Sequence, residues 1–260
     1  MLRRQREGHT LVLTVDRPEA RNALSSEVAR ALVAACDEAA RDERVRAVVL
    51  TGAGSTFVSG GDLRELRAAT TRQDAEALSD WGMRLCRALE DLPMPVLAAV
   101  NGHAVGGGAE LACACDVRIG SRSTTFSFRQ TQMGVTTAWG TAQRLPAIVG
   151  AGHAARMLLF GRTVTAEEAI DMGLLDDVAE PPSTPLETAL ARASELARSS
   201  PGAVARMKAV LVAARRGSDE LRAVERAEFV EAWLSPDHAE AVEAYFAKRA
   251  PVWSPRPTRG

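Results

Sequence analysis

The sequence predicts an α/β protein with a mostly parallel sheet and a helical C-terminal region. In the first half of the chain, β-branched apolar runs alternate with longer segments whose apolar residues recur every three or four positions. Strands that alternate with helices are typical of βαβ units, which build parallel sheets. After about Leu145 nearly every segment has the helical period. We therefore expect an α/β core over residues 1–195 and a helical region over residues 196–260.

The strands of the core are predicted from short apolar runs. They lie over residues 10–18, 45–52 and 94–102, with shorter ones within 114–121 and 124–128. The run over 45–52 is apolar enough for a strand that is buried on both faces. A helix capped by Ser25 or Ser26 follows the first strand, and a long amphipathic helix ends before Pro93.

The later segments carry apolar stripes that need a partner surface. Helices are predicted over residues 150–160, 165–173, 185–199, 201–216, 218–234 and 236–249. Their apolar faces can pack on the core or on another subunit, and periodicity alone leaves both alternatives open.

Composition and charge exclude several classes of function. The 260 residues are 46% hydrophobic and 25% charged, which is ordinary for a globular protein. The net charge of −1 gives no overall field that attracts nucleic acid or an anionic membrane. The four cysteines form no CxxC pair, so we expect no metal site and a reducing, cytoplasmic location. No segment has the apolar core of a signal peptide or the roughly 18 apolar residues of a membrane span.

Two glycine-rich stretches carry the clearest functional signal. The first is "FVSGGDL" over residues 57–63, and the second is "NGHAVGGGAEL" over residues 101–111. Each follows an apolar run and leads into a segment patterned as helix. A strand, a glycine turn and a helix start leave backbone N–H groups unpaired and directed outward. Two such sites that face each other could hold an oxyanion, such as a thioester carbonyl that becomes an enolate.

Polar residues beside these stretches have two interpretations each. Asp62 could simply cap a helix that starts near Leu63, and Glu110 could be a capping-box residue or a catalytic acid/base. His103 fits a hydrogen-bonded histidine better than a catalytic one.

The segment "VGAGHAA" over residues 149–155 matches GxGxxA, but it follows a helix-like segment instead of a strand, which argues against a nucleotide site.

Taken together, five segments resemble the enoyl-CoA hydratase/isomerase (crotonase) superfamily along nearly the whole chain. They are "VDRPEARNAL", "FVSGGDL", "PVLAAVNGHAVGGGAELACACDVRI", "MGVTTAWGTAQRL" and "GRTVTAEEAIDMGLLDDV". The resemblance implies a crotonase-like spiral of ββα units with a C-terminal helical oligomerisation region. It also implies a homo-oligomer, either a trimer or a dimer of trimers. The implied substrate is an acyl-CoA thioester, with coenzyme A as part of the substrate and no separate cofactor.

The same resemblance implies roles for individual residues. The N–H groups of Gly61 and Gly107 match the two oxyanion donors, and Glu110 matches the first of two catalytic glutamates in the hydratases. Gln130 stands where the second glutamate is expected. The residues implied in contacts with the substrate and its CoA are Ala20, Arg21, Ser59, Gly60, Asp62, Leu63, Gly106, Trp139, Tyr245 and Lys248.

The roles of two of these residues and the reaction itself each have more than one interpretation. Arg21 is either a partner of a CoA phosphate or a solvated surface arginine, and Trp139 is either a wall of the acyl pocket or a core aromatic. Gln130 can orient a water or a carboxylate but cannot exchange a proton near neutral pH. A hydratase/isomerase-like lyase is therefore one hypothesis. A decarboxylase of methylmalonyl- or ethylmalonyl-type thioesters is the second, and a catalytically weak CoA-ester-binding subunit is the third.

Overall fold

A computed structural model describes residues 1–196, 199–216, 226–227 and 229–252. Within them lie ten strands: β1 (Leu2–Glu7), β2 (Thr10–Val15), β3 (Ala47–Gly52), β4 (Thr56–Val58), β5 (Val96–Ala99), β6 (His103–Val105), β7 (Val117–Gly120), β8 (Thr125–Ser127), β9 (Thr163–Thr165) and β10 (Asp177–Val178). The helices whose two ends both lie within the described residues are α1 (Ser26–Arg41), α2 (Leu63–Ala68), α3 (Arg72–Glu90), α4 (Gly107–Ala114), α5 (Thr141–Phe160), α6 (Ala166–Asp171), α7 (Pro185–Glu195), α8 (Pro201–Arg216) and α9 (Pro236–Phe246). Two 3-10 turns cover Pro18–Ala20 and Thr131–Met133.

The chain visits two sheets in turn. The six-stranded sheet has the order β1-β2-β3-β5-β7-β10, and the four-stranded sheet has the order β4-β6-β8-β9. The pairs β3–β4, β5–β6 and β7–β8 each place one strand in each sheet, and helical structure follows each pair. Neighbours such as β3 and β5, or β4 and β6, run parallel. This arrangement is the predicted spiral of ββα turns, and it confirms the α/β fold class.

Local sequence signals set the helix starts. Ser25, one of the two expected caps, accepts a hydrogen bond from the Val28 N–H and caps α1. Thr71 and Asp74 form a capping box at the start of α3. The expected strands over 10–18, 45–52 and 94–102 contain β2, β3 and β5. Segments whose pattern and caps agree therefore form the elements that the sequence predicts.

Five strands were missed by the sequence pattern, namely β1, β4, β6, β9 and β10. β1 has an exposed, charged surface in place of an apolar alternation, and it pairs antiparallel with β2 at the sheet edge. β9 and β10 lie after Leu145, where nearly every segment was expected to be helical and no strand was predicted. They are three and two residues long, too short to show a period. The GxGxxA segment lies in α5, with a kink at Gly150, which supports the interpretation against a nucleotide site.

The central strand β3 is buried along its whole length, as expected. Because successive strand residues point to opposite faces, its side chains belong to two apolar clusters. Val48 lies in the larger cluster with α1 and α3, whereas Val49 lies in a smaller cluster under α7, with Ala189 and Ala193. Helices therefore cover both faces of the six-stranded sheet.

The described part of the C-terminal region docks on this core. The buried Lys208 of α8 lies 2.7 Å from Asp116 and donates hydrogen bonds to the carbonyls of Leu89 and Met94. The helix predicted over 218–234 lies partly outside the described residues, and residues 226–227 and 229–233, which are described, are helical as expected. Among the described residues, no helix combines the length and apolar character that a membrane span requires.

Candidate active site

The two glycine stretches lie side by side. They follow β4 and β6, which are neighbouring parallel strands, so both stretches emerge at the same edge of the four-stranded sheet. A Cβ on Gly60 would lie 3.5 Å from the Gly107 nitrogen, and a Cβ on Gly108 would lie 2.0 Å from the Val58 carbonyl oxygen. The distance at Gly108 leaves no room for a side chain, whereas the distance at Gly60 is an ordinary contact, and there the φ of 103° favours glycine. Glycines are therefore what allows the two backbones to approach each other.

The hydrogen bonds of the neighbouring residues bear on the N–H groups of Gly61 and Gly107. Gly61 is bridged to Leu24 through its neighbours: the Leu24 N–H donates to the Gly60 carbonyl and the Asp62 N–H donates to the Leu24 carbonyl. Because N–H groups alternate in direction along an extended segment, and that of Asp62 faces Leu24, the N–H of Gly61 points away from Leu24. Gly107 is the first residue of α4, where helical N–H groups have no partner within the helix.

Asp62 holds the start of α2 beside Gly61. Its carboxylate accepts from the Arg64 N–H at 3.0 Å and from the Arg17 guanidinium at 2.8 Å, so the expected cap is confirmed. Burial raises the pKa of Asp62, but these hydrogen bonds outweigh that effect and hold its pKa below the usual value. The charged cap fixes the turn that carries Gly61.

Glu110 is buried, with 3% of its surface exposed, and three donors surround its carboxylate. Oε1 accepts from Nε2 of Gln130 at 2.7 Å. Oε2 accepts from the Thr141 hydroxyl at 2.7 Å and from the Trp139 N–H at 3.3 Å. Burying a carboxylate is costly unless it is hydrogen-bonded, and these donors compensate that cost. Glu110 is the fourth residue of α4, whereas a capping-box residue is the third, so the geometry does not match the capping alternative.

Trp139 packs between two helices and against the second glycine stretch. A Cβ on Gly82 of α3 would lie 1.9 Å from the indole nitrogen, and one on Gly107 would lie 2.4 Å from Cη2. Trp81 supports the other side, with ring centroids 5.0 Å apart. The ring is 8% exposed. Trp139 is thus a packed aromatic whose ring lies directly beside Gly107, and its role as a wall of the acyl pocket stays a prediction.

A buried ion pair, which the sequence did not indicate, holds the turn after Trp139. The guanidinium of Arg144 in α5 pairs with both oxygens of Glu90 in α3, at 2.6 and 2.7 Å, and donates to the Trp139 carbonyl. Gly140 adopts a φ of 90° between these groups. Thr141, which follows, was also missed. The partners of Arg144 and Thr141 are 54 and 31 residues away in sequence, so no local pattern could have found them.

The residues expected to hold CoA lie partly together. The Ser59 N–H donates to the Arg21 carbonyl at 3.2 Å, and the Ser59 hydroxyl donates to the Ala20 carbonyl at 3.4 Å. The turn of the half-buried Ala20 and the exposed Arg21 therefore adjoins Ser59 and Gly60, next to Leu63 at the start of α2. Gly106 forms the turn into α4 with a φ of 53°.

Tyr245 and Lys248 lie at the other end of this surface. Both are exposed, at and just beyond the end of α9. This end of α9 contacts α2: Arg67 pairs with Glu243 at 3.1 Å, and its guanidinium lies over the ring of Phe246. His103 is exposed and hydrogen-bonded to Thr125 at 2.8 Å, in agreement with its non-catalytic interpretation.

Comparisons with known proteins agree with this architecture. The sequence model of a family described as enoyl-CoA hydratase/isomerase matches residues 5–256. The short-chain-enoyl-CoA hydratase of Clostridium acetobutylicum is 36% identical over 250 residues, which are 94% of each chain. The 2,3-dehydroadipyl-CoA hydratase of Escherichia coli is 36% identical over 256 residues, which are 96% of this chain and 97% of that one. A crystal structure of an enoyl-CoA hydratase/isomerase from Pseudoalteromonas atlantica T6c superimposes with a TM-score of 0.86 at 30% identity, covering 97% of this chain and 99% of that one.

The fold and the paired glycine stretches define a crotonase-type protein. The family match and the identity to these relatives extend over nearly the full chain, and this chain belongs to the enoyl-CoA hydratase/isomerase family. The relatives named above are hydratases, so they lend no support to the decarboxylase alternative.

Proposed function

We propose that this protein is an enoyl-CoA hydratase/isomerase-like lyase that stabilises the enolate of an acyl-CoA thioester. The observation that carries the proposal is the position of Glu110. Glu110 lies near the start of α4, the helix that begins at Gly107 beside the Gly60–Gly61 turn. Three donors from elsewhere in the chain hold its buried carboxylate. An acid/base group and two sources of N–H donors thus lie at one edge of one sheet.

The N–H groups of Gly61 and Gly107 are proposed to bind the thioester oxygen. When the π electrons of the double bond between the α- and β-carbons move toward the thioester, negative charge develops on the thioester oxygen. Fixed backbone donors stabilise this charge without reorganisation, and one such donor is typically worth about 10²–10³ in rate, or roughly 3–4 kcal/mol. The first turn of α4 adds the positive end of its dipole.

Glu110 is proposed to transfer the proton. In hydration, Glu110 removes a proton from water while the water oxygen bonds to the β-carbon, and the π electrons move onto the thioester as the enolate. Glu110 then returns the proton to the α-carbon as the enolate collapses, so the net change is the addition of one water. A double-bond isomerisation needs only proton removal from one carbon and return at another. Gln130 is neutral and takes no proton in either scheme.

The CoA part of the ester is proposed to lie along the Ala20–Arg21 turn and the Gly60–Leu63 backbone, with Gly106 closing the site. The close packing of these segments supports this placement. Tyr245 and Lys248 are proposed to approach the CoA from the end of α9. The indole of Trp139 is proposed to limit the acyl group beside Gly107. The four cysteines are free and buried, which supports the expected reducing cytoplasm.

We also propose that the chain assembles as a trimer or a dimer of trimers. Support comes from α8, where Met207, Val210 and Leu211 are 61%, 64% and 54% exposed. They are spaced three and four residues apart, so they form one apolar stripe on the helix surface. Contiguous exposed apolar side chains of this kind mark interaction sites.

The test of the catalytic proposal is the change Glu110→Gln. The wild-type protein is incubated with crotonyl-CoA, methylmalonyl-CoA and ethylmalonyl-CoA, and the products are followed by mass spectrometry. We expect hydration of crotonyl-CoA, and a fall in kcat of about 10²–10⁴-fold in the variant, because general acid–base catalysis contributes that range. Binding of a saturated ester is expected to be unchanged. Glu167→Gln, on an exposed face of α6, is the matched control.

Three results contradict the proposal in different ways. Full hydration activity of the Glu110→Gln variant shows that Glu110 has only a structural role. Release of CO₂ from the malonyl-type esters with negligible hydration favours the decarboxylase. Ester binding without any turnover favours a binding subunit.

A further inference from the structure

The start of α5 faces the buried carboxylate of Glu110. Oε2 of Glu110 accepts from the Thr141 hydroxyl at 2.7 Å and from the Trp139 N–H at 3.3 Å. Thr141 is the first residue of α5, and its exposed fraction is 0%. The positive end of a helix dipole lies at the helix N-terminus and favours a negative charge there. One oxygen of Glu110 therefore meets two donors and a favourable dipole from the same short stretch of chain.

The Glu90–Arg144 ion pair fixes the turn that leads into α5. One guanidinium nitrogen of Arg144 donates to the Trp139 carbonyl, and the other two pair with both oxygens of Glu90 at 2.6 and 2.7 Å. A Cβ on Gly140 would lie 2.6 Å from Nη1 of Arg144, so the guanidinium lies directly against the turn. Glu90 and Arg144 are each 5% exposed. The turn is thus braced from behind, and its donors keep their place independently of Glu110.

Ionisable side chains from three helices lie around Glu110. They are Cys86 and Glu90 of α3, Cys113 of α4 and Arg144 of α5. Burial raises the pKa of the Cys86 thiol and raises that of Cys113 to about 11, so both thiols stay protonated near neutral pH. Glu90 and Arg144 balance each other's charge. Of the strands beside α4, β4 carries no ionisable side chain, and His103 of β6 is exposed. A change in the protonation of Glu110 therefore reports chiefly on its own hydrogen bonds.

We propose that Thr141 is a positioning residue that keeps Glu110 ionised and ready to accept a proton. The proposal rests on the proposed function, in which Glu110 takes a proton from water. A hydrogen bond to an ionised carboxylate favours the charged form over the protonated form. Thr141 acts through Glu110 and does not touch the substrate. The Glu90–Arg144 pair contributes by holding the turn that carries Thr141.

The test is the change Thr141→Val, which keeps the branched shape of the side chain and removes the hydroxyl. Protonation of Glu110 in the free protein is followed by infrared spectroscopy as the pH is lowered, and the carboxyl band that Glu110→Gln lacks identifies this group. In Thr141→Val the midpoint of the titration is expected to move upward by about 1–2 pH units, the range for one lost hydrogen bond to a charged group. Thr141→Ser keeps the hydroxyl and is expected to keep the wild-type midpoint.

Thr51→Val is the matched control. Thr51 is also buried, but its hydroxyl donates to the Ala99 carbonyl at 2.8 Å, which is a neutral acceptor within the six-stranded sheet. Its loss is expected to lower stability and to leave the Glu110 midpoint unchanged. An unmoved midpoint in Thr141→Val overturns the proposal, and so does an equal movement in Thr51→Val or in Thr141→Ser.

Circular dichroism melting establishes that each variant is folded. Thr141→Ala, which removes the hydroxyl and adds no bulk, takes the place of Thr141→Val if the latter does not fold. It is expected to move the midpoint in the same direction, and an unmoved midpoint in this variant overturns the proposal equally.

The titration separates this inference from the proposed function. The pH dependence of crotonyl-CoA hydration is measured in parallel, and the acid limb of kcat/KM is expected to move with the midpoint in Thr141→Val. An equal fall in rate at every pH contradicts the proposal, because a purely structural role has that effect. Hydration by the wild type with an unmoved midpoint in Thr141→Val overturns the role of Thr141 and leaves the proposed function in place. A moved midpoint in a protein that does not hydrate crotonyl-CoA supports the role of Thr141 and contradicts the hydratase proposal.

Discussion

At the scale of single residues, Gly108 shows why the second stretch has three consecutive glycines. Gly106 turns the chain with a positive φ, Gly107 lies against the Trp139 ring, and Gly108 lies against the Val58 carbonyl. Glycines at a helix start weaken the helix, so each needs a compensating reason. Here Gly106 supplies the turn, Gly107 and Gly108 each allow one close approach, and together they bring the start of α4 to the first stretch.

The change Gly108→Ala is expected to destabilise the protein by about 1–3 kcal/mol or more, because its Cβ meets backbone, which cannot rotate away. Displacing α4 from β4 is also expected to lower the rate of crotonyl-CoA hydration. Gly152→Ala is the matched control: Gly152 also lies in a helix, but its Cβ would meet nothing within 4 Å. That variant is expected to gain up to about 1 kcal/mol. Urea unfolding measures both, and equal stabilities of the two variants would contradict the packing argument.

Residues of the candidate site differ in how far the sequence predicted them. The glycine motifs and Glu110 stand within one short segment, so a local pattern and the family resemblance both identify them. Thr141 and the Glu90–Arg144 pair did not stand out, because threonine, glutamate and arginine are common and their partners are far along the chain. Gln130 was singled out by resemblance, but its contact with Glu110 appears only in the structure.

At the scale of elements, α9 braces the turn that carries Gln130. Nδ1 of His238 hydrogen-bonds to the Met133 carbonyl, and the Trp233 ring packs on the imidazole with centroids 4.2 Å apart. A Cβ on Gly134 would lie 2.8 Å from the backbone of Asp237, so the turn and the helix are in direct contact. Burial lowers the pKa of His238 below its ordinary 6.5, and the hydrogen bond to Met133 partly opposes this. The docked helix therefore favours a neutral imidazole.

This lowered pKa predicts a pH-dependent stability. Above the ordinary value of 6.5, His238 is neutral in the folded and unfolded chains and contributes no pH dependence. As the pH falls through that value, the unfolded chain binds a proton that the folded chain resists, so the free energy of unfolding decreases. Between about pH 8 and pH 5.5, the wild type is expected to lose on the order of 1 kcal/mol relative to His238→Gln, as measured by urea unfolding.

The control for this comparison is His153→Gln, at an exposed position in α5. It is expected to keep the wild-type pH dependence. Parallel stability curves of the wild type and His238→Gln across this range would contradict the assignment to His238.

At the scale of the whole molecule, α8 has two distinct faces. Lys208 fastens one face to the core through Asp116 and two backbone carbonyls. The apolar stripe of Met207, Val210 and Leu211 lies on the other, exposed side. Docking on the core and contact with another subunit were alternatives at the level of the sequence. The helix geometry allows α8 to do both at once.

Val210→Asp is expected to weaken the proposed assembly, because it places a charge within the apolar stripe. Sedimentation equilibrium is expected to give three or six chains for the wild type and a smaller mass for the variant. Ala209→Asp, which is exposed but about 100° around the helix from Val210, is the matched control and keeps the wild-type mass. A monomeric wild type would contradict the proposal, and so would an unchanged mass of Val210→Asp.

The sequence by itself determined the order of most core elements, the positions of the glycine turns, the cap at Asp62 and the family resemblance. These features depend on residues within a few positions of one another, or on motifs in a fixed order. Only the tertiary structure decided that the strands form two sheets, that β1, β9 and β10 pair at sheet edges, and which donors hold Glu110. The physical reason is that side-chain contacts across 20 to 54 residues depend on how elements pack, and periodicity describes one element at a time.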